Sequence, residues 1–221
     1  MTFFTMRWQG PLMSLTGARI DGFAQPVPIP PRSMVAGMLG AALGLPMCDP
    51  ALDTLWKTIR HGVVVHQAGV PVTDFQTADL TLMPDKMWWF DGKRYGVMMR
   101  EGATASLLRR TQERTLLSDA DMTVVVEVMD DSHWTAEQML GALRRPRFPL
   151  YLGRSNCLPA ARVAGQVLDA GSLVEAIQGV GDGTVYLPVE VDGDFTLGDV
   201  MVRIPERNRG ESVFKVNQHV T

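Results

Sequence analysis

The stretch Pro28–Leu45, which reads Pro-Ile-Pro-Pro-Arg-Ser-Met-Val-Ala-Gly-Met-Leu-Gly-Ala-Ala-Leu-Gly-Leu, decides the fold that we predict for this chain. Its prolines hold an extended backbone, because the proline ring fixes φ and the residue before each proline avoids the helical region. A helical pattern follows, with Ser33 as the expected N-cap and apolar side chains at helical spacing up to Leu45. Three glycines lower the intrinsic stability of this helix. We therefore expect close packing against a sheet to hold it.

An arginine stands where this helix is predicted to begin. The free backbone N–H groups and the dipole of a helix favour an anion at its N-terminus, and an arginine adds a positive charge. Arg32 and Ser33 are therefore candidates for binding a phosphate group. The alternative is that Arg32 only ends a loop that covers a buried helix, and this stretch alone leaves both interpretations open.

Composition limits the class of protein. With 221 residues and 46% hydrophobic content, the chain forms one large domain or two small ones with an ordinary core. Two cysteines match neither a zinc spacing nor a disulfide framework. We expect a cytoplasmic protein, because no apolar run reaches the roughly 18–20 residues that span a bilayer and no signal peptide is recognisable. The net charge of −3 argues against indiscriminate binding of nucleic acid.

The charge is distributed unevenly along the chain. Residues 80–114 carry seven basic and four acidic residues, a balance of +3 against −6 for the remainder. Arg109 and Arg110 have no neighbouring carboxylate along the sequence before Glu113. Aromatic residues interleave with the basic ones around a hairpin signal at Asp91-Gly92. We predict a protruding element that contacts a partner, with an ordinary surface hairpin as the alternative. A second, acid-free cluster comprises Arg144, Arg145, Arg147 and Arg154.

The order of predicted elements is compatible with an α+β fold built on a ferredoxin-like (RRM-like) βαββαβ core. The basic hairpin is an insertion before the third core strand, and extra strands follow at the C-terminal end. Capping signals at Asp49, Thr135 and Ser172 place three further helix starts. The predicted core elements are a strand at 2–9, a helix at 33–45, strands at 63–67 and 70–77 joined by a turn at Gly69, a strand at 122–129 and a helix at 135–145. The extra strands are at 185–191, 201–204 and 213–216.

No enzymatic motif is recognisable. The chain contains no His-Glu-x-x-His, no phosphate-binding Walker loop, no Gly-x-Ser-x-Gly and no dinucleotide-binding glycine pattern. The histidines are His61, His66, His133 and His219. His61 and His66 flank one predicted strand and, being five residues apart, are expected to face opposite sides of it, so neither is favoured as a catalytic residue. We expect structural histidines and neither a cofactor nor a metal ion.

Four blocks of the sequence resemble those of one protein family. They are Gly10-Pro11-Leu12-Met13-Ser14, Pro31-Arg32-Ser33, the block Arg-Thr-Leu-Leu-Ser-Asp-Ala-Asp-Met-Thr-Val at 114–124 and the block Pro-Leu-Tyr-Leu-Gly-Arg-Ser-Asn-Cys at 149–157. On these blocks the chain resembles the Cas five subunit of type I CRISPR Cascade, within the RAMP superfamily. The resemblance is closest to subtype E.

The resemblance implies a single RAMP domain over residues 1–221, with residues 80–112 as an inserted thumb. It implies a non-catalytic subunit of an antiviral ribonucleoprotein complex that caps the 5′ handle of the CRISPR RNA (crRNA). The implied partners are crRNA, the Cascade backbone subunit, the Cascade large subunit and, through the complex alone, target DNA, with no membrane contact. The residues implied to bind RNA are Arg32, Ser33, Lys93, Arg94, Arg100, Arg109, Arg110, Arg114, Arg154 and Ser155.

Two other classes of function stay open. A related subtype-C branch of the family cuts precursor crRNA, so a repeat-specific, metal-independent endoribonuclease is one alternative. Such an enzyme needs a base and an acid near the scissile phosphate, and the sequence offers no such pair. The other alternative is an assembly subunit whose basic surface meets an acidic protein.

Overall fold

The computed structural model describes residues 2–20, 23–79, 81–83, 86–90, 95–99, 109–189, 201–206 and 210–220. Four helices lie within these ranges: α1 (Arg32–Leu43), α2 (Ala51–Thr58), α3 (Ala136–Arg144) and α4 (Leu173–Gln178). The strands are β1 (Thr2–Met13), β2 (Thr16–Ile20), β3 (Phe23–Pro26), β4 (Ile59–Gln67), β5 (Val70–Asp79), β6 (Thr81–Met83), β7 (Lys86–Phe90), β8 (Tyr95–Met99), β9 (Arg109–Val128), β10 (Ala164–Leu168), β11 (Gly183–Pro188), β12 (Met201–Glu206) and β13 (Gly210–Val220).

An eight-stranded antiparallel sheet organises the protein. Its order is β10-β1-β9-β4-β11-β13-β12, with β5 paired to β9. The first four strands of this path have the order 4-1-3-2 of a ferredoxin-like core, with α1 and α3 as the two crossover helices. The predicted α+β class, the core and the extra C-terminal strands are confirmed. The fourth core strand, β10, was not predicted, because it is a short edge strand with a glycine in its interior.

Successive side chains of a strand point to opposite faces, so the sheet buries two separate clusters. One face packs against α1, α2 and α3 and buries Trp8, Leu39 and Val124 completely. The other face packs against α4 around Phe3 and Ile177. Helices therefore cover both faces of the central strands, because each face is hydrophobic and must be buried.

Helix α1 is confirmed, but Ser33 is not its N-cap. The helix begins at Arg32 and its N-cap is Pro31, whose carbonyl accepts hydrogen bonds from the N–H groups of Met34 (2.9 Å) and Val35 (3.2 Å). Pro31 has φ −65° and ψ 157°. Because a proline already holds the extended geometry of an N-cap, the helix starts one residue earlier than predicted.

Helix α1 packs against the sheet, as expected, but its glycines do not make that contact. A Cβ at Gly40 would overlap the Leu52 side chain of α2, so the close approach is between two helices. Gly44 ends the helix with φ +83°, a conformation that glycine adopts without steric cost.

Strands β4 and β5 both pair with β9 and lie end to end along it. Both run antiparallel to β9, so the chain does not reverse at Gly69 and the turn predicted there is instead a break between two strands of the same direction. Gly69 has φ +76°, and Asp119 on β9 beside it has φ +55°. Beyond this break β5 and residues 109–118 of β9 form a two-stranded ladder, which we call the arm. The central strand predicted at 122–129 is thus only the second half of the 20-residue β9.

A separate three-stranded sheet, β6-β7-β8, lies in sequence between the two strands of the arm. Strands β7 and β8 pair antiparallel, as the hairpin signal predicted, with Phe90 opposite Tyr95. Asp91 and Gly92, where the turn of this hairpin was predicted, lie outside the described residues. The division into one domain with an inserted thumb at 80–112 stays a prediction.

Candidate functional site

A tight loop between α3 and β10 carries two of the predicted site residues, Arg154 and Ser155. The N–H of Leu152 donates to the carbonyl of Cys157 (2.7 Å), and the N–H of Cys157 donates to the carbonyl of Arg154 (2.9 Å). These hydrogen bonds close the loop on itself. The Ser155 side chain is exposed and that of Arg154 is partly buried.

This loop is fixed to the end of β1 and to the first turn of α1. The N–H of Ser14 donates to the carbonyl of Leu152 (2.9 Å). Gly153 has φ +96°, and a Cβ there would overlap the carbonyl oxygen of Ser14 and lie 2.7 Å from Cε of Met34. Only glycine fits this position. The loop that carries Arg154 therefore lies against the end of β1 and the Met34 side chain of α1.

Arg32 is the first residue of α1, and Ser33 is the second. The guanidinium carbon of Arg32 lies 5.0 Å from the ring centroid of Trp56, within the range of a cation–π interaction. The first turn of α1 contains no acidic residue. The positive end of the helix and the guanidinium group thus share one location, held by an aromatic ring of α2. No local pattern in the sequence indicates that the Trp56 ring faces Arg32.

The arm carries three more predicted site residues. In the β5–β9 ladder, Arg109 lies opposite Asp79, Arg110 opposite Ala78 and Arg114 opposite Asp74. The sequence shows no carboxylate near Arg109 before Glu113, but the strand register makes Asp79 its cross-strand neighbour. Only strand pairing reveals this neighbour, 30 residues away in the sequence.

Arg114 belongs to a polar network on the arm. Its Nη1 donates to Oε1 of Gln76 (2.9 Å), and Nε2 of Gln76 donates to Oδ2 of Asp74 (2.6 Å). This network fixes the Arg114 side chain on the arm surface. Lys93, Arg94 and Arg100 lie outside the described residues.

The histidines with described side chains make structural contacts. Nε2 of His61 lies 3.0 Å from the carbonyl of Pro30, and the side chain is 1% exposed. His66 contacts the carbonyl of Asp182 and the hydroxyl of Thr123, each at 2.8 Å. The two rings thus have partners on opposite faces of β4, as predicted.

Cys157, the buried thiol of this loop, is not an activated nucleophile. Burial raises the pKa of the Cys157 thiol, and the Arg154 charge opposes this increase only in part.

Within the described ranges no group of three His, Cys, Asp or Glu residues could hold a metal ion. No helix in the same ranges is long and apolar enough to cross a membrane.

The fold and this arrangement define a class of protein. It is an α+β protein with a ferredoxin-like sheet, in which sequence blocks far apart in the chain converge. Met13 pairs with Leu117, Ser14 contacts Leu152, and Gly153 contacts Met34. The four blocks singled out in the sequence therefore meet around the start of α1.

A family model described as CRISPR-associated protein (Cas_Cas5) matches residues 3–217. The chain therefore belongs to this family of CRISPR-associated proteins. A solved structure titled "CRISPR RNA-guided surveillance complex" aligns with a TM-score of 0.65 and 22% identity over 97% of this chain and 88% of the other. Another, titled "Crystal structure of Cas protein", aligns with a TM-score of 0.59 and 25% identity over 99% of this chain and 94% of the other. Among curated proteins no match is found.

Proposed function

We propose that this protein is a non-catalytic subunit of a type I Cascade surveillance complex, in which it binds the 5′ handle of crRNA. The assignment to subtype E is part of this proposal. So is a cytoplasmic location, because a complex of this kind acts on nucleic acid inside the cell.

One observation carries the proposal: the 149–157 block, the end of β1 and the start of α1 meet at one place. The contacts of Ser14 and Gly153 hold the loop that carries Arg154 against the end of β1 and the Met34 side chain of α1, the helix that begins at Arg32. We propose that Arg32 and Arg154 contact phosphates of the same RNA strand, because guanidinium groups and a helix N-terminus suit phosphate. Exposed Ser155 can add a neutral hydrogen bond to that strand.

Residues 80–112 are the proposed thumb, with Arg109 and Arg110 within it and Arg114 further along the same strand, β9. Lys93, Arg94 and Arg100 extend the proposed RNA contact by sequence alone. Apolar side chains on β5 are also exposed: Val70 by 65%, Val72 by 43% and Phe75 by 59%. Such side chains suit a surface that a neighbouring subunit covers. The backbone and large subunits are the partners we propose.

The proposal of no catalysis is supported by the contacts of His61 and His66, whose rings are engaged with backbone and hydroxyl groups. Purified protein incubated with repeat RNA without metal is expected to leave the RNA length unchanged. Variants at His61, His66, His133 and His219 are expected to leave the length of guide RNA recovered from cells unchanged. Cleavage of the repeat, or uncut precursor in any of these variants, would establish the endoribonuclease alternative.

The decisive experiment replaces Arg32. Arg32→Glu reverses the charge offered to a phosphate, so we expect loss of guide RNA and partner subunits in co-purification. A glutamate in the first turn favours the helix by about 0.3–1 kcal/mol. The same change removes the contact with Trp56, which is worth about 0.5–1 kcal/mol. We expect the free protein to stay folded, and a thermal melt of each variant checks this.

Two further variants serve as controls. Arg32→Lys keeps the charge but cannot form two parallel hydrogen bonds to a phosphate, so we expect partial loss. Lys57→Glu makes the same charge change at an exposed position of α2 and should leave RNA binding intact. Normal assembly of Arg32→Glu with RNA would mean that the start of α1 is only structural and would refute the proposed site.

A further inference from the structure

A second basic surface lies outside the residues assigned above. From Gln138 to Leu168 the chain has 31 residues with five arginines and no Asp or Glu. At the average acidic content of this chain, 24 in 221, a segment of that length would hold about three acidic residues. An acid-free segment in a protein of net charge −3 marks a surface that repels cations and attracts polyanions.

The structure holds the first part of this segment rigidly. After α3 ends, the N–H of Arg147 donates to the carbonyl of Ala42 and the N–H of Phe148 to that of Ala41, each at 3.1 Å. These acceptors are carbonyls in the last turn of α1, where the helix supplies no further i+4 donors; the Ala41 carbonyl also accepts from the N–H of the cap residue Gly44 (3.2 Å). Gly44 leaves room for the Arg147 side chain, since a Cβ there would lie 2.5 Å from Arg147 Cδ. The segment is thus fixed at the C-terminal end of α1.

The chain then follows α1 back towards its first turn. Phe148 contacts the helix at Ala41 and Gly153 contacts it at Met34, seven residues earlier. At 1.5 Å per residue these contacts are about 10 Å apart along the helix axis. We name residues 144–154 the α1 track. It connects the arginines at the end of α3 with Arg154 in the proposed handle site.

The side chains of the track are available to a partner. Arg144, Arg145 and Arg147 are exposed, and within the described part of the chain none of them forms an ion pair. Arg144 lies in the last turn of α3, where it also stabilises the helix dipole. Aromatic rings lie between the charges, with Phe148 45% and Tyr151 37% exposed.

We propose that the α1 track binds the sugar–phosphate backbone of a single nucleic-acid strand. The phosphates contact Arg144, Arg145 and Arg147, and one base stacks on Phe148. Exposed rings between arginines favour a single strand over an acidic protein, because unpaired bases stack on aromatic side chains and duplex bases are not available to do so. The inference rests on the proposed function, since it extends the handle site along α1.

The test uses the full chain and homopolymeric probes of about 16 nucleotides, as single-stranded RNA, single-stranded DNA and duplex. Binding is followed by fluorescence anisotropy across a range of salt concentrations. The triple variant Arg144→Gln, Arg145→Gln, Arg147→Gln should lower the magnitude of the salt slope by about 2, at about 0.7 per lost phosphate contact on a single strand. Glutamine retains part of each stem, and a thermal melt checks the fold. Arg203→Gln, which removes an equally exposed arginine on β12, should leave the slope unchanged.

The stacking of a base on Phe148 is measured with a separate variant. Phe148→Leu should weaken binding of both single-stranded probes by about fivefold or more and leave duplex binding unaffected. A preference of the wild-type protein for the RNA probe assigns the track to the guide strand, and a preference for DNA assigns it to a strand of the target.

The outcomes separate this inference from the proposed function. Failure of the handle site would appear as normal RNA binding by Arg32→Glu, whatever the triple variant does. If the triple variant keeps the wild-type salt slope, the α1 track does not contact the phosphates and the proposal is wrong. If that variant also loses partner subunits while RNA binding stays normal, the surface binds protein and the proposal is wrong.

Discussion

Replacing Gly153 by alanine tests whether the loop of the candidate site is fixed as described. Alanine at φ +96° stores strain of about 1–3 kcal/mol. Its Cβ would also overlap the Ser14 carbonyl, so the loop must move and the Ser14 N–H loses the Leu152 carbonyl. Ser14 is 4% exposed, and an unsatisfied buried donor costs about 1–3 kcal/mol. The sum is about 2–6 kcal/mol.

Gly181 serves as a control that separates the backbone strain from the loss of the Ser14–Leu152 hydrogen bond. Gly181 has φ +112° with no atom within 4 Å of a Cβ built there, so Gly181→Ala carries the strain alone. At about 2–4 °C per kcal/mol for a chain of this size, Gly153→Ala should melt about 2–12 °C below Gly181→Ala. Circular dichroism melts of both variants measure the difference. Equal melting temperatures would refute the contact between the loop and β1.

Movement of the loop in Gly153→Ala should also affect RNA binding, because Arg154 follows Gly153 in the loop. We expect Gly153→Ala to weaken binding of handle RNA at temperatures where the variant is still folded, whereas Gly181→Ala should bind normally. Wild-type affinity in folded Gly153→Ala would separate the loop from the RNA site.

Three further predictions concern the fold. Thr135→Ala removes a capping box, so the free energy of unfolding should fall by about 1 kcal/mol, and an unchanged denaturation midpoint would contradict the cap. Glu127 accepts two hydrogen bonds from Arg60 (2.7 and 2.9 Å) and is 1% exposed, so Glu127→Ala should cost about 3–5 kcal/mol in urea unfolding. Burial raises the pKa of Cys157, which reduces its thiolate fraction at any given pH, whereas Cys48 is exposed. Iodoacetamide should therefore modify Cys48 first in the native protein, and mass spectrometry that finds equal labelling would contradict this order.

Much of the fold follows from local sequence patterns. The apolar spacing of α1, the continuous apolar run of β9 and the Thr135 capping box each correspond to the structure, because helix and strand periodicity and capping depend on neighbours within a few residues. The order of these elements then restricts the topology to few arrangements. The ferredoxin-like core was predictable for that reason.

Other features depend on contacts between distant residues. Strand β10 has a weak pattern of its own and exists because it pairs with the edge of β1. The polar first half of β9 is a strand because β5 pairs with it, and the same pairing places Asp79 opposite Arg109. Ser33 lost its predicted role as N-cap because the Pro31 carbonyl already accepts the first hydrogen bonds of α1.

The sequence by itself therefore determined the α+β class, the core order and the blocks that mark the CRISPR-associated family, because these are properties of local pattern and order. Only the tertiary structure decided where the blocks meet: Ser14, Met34 and Gly153 are separated by up to 139 positions and form one contact. It also decided that Arg32 lies on Trp56 and that residues 144–154 run along α1. The physical reason is that a site is built from long-range packing and hydrogen bonds, which no local spacing in the chain encodes.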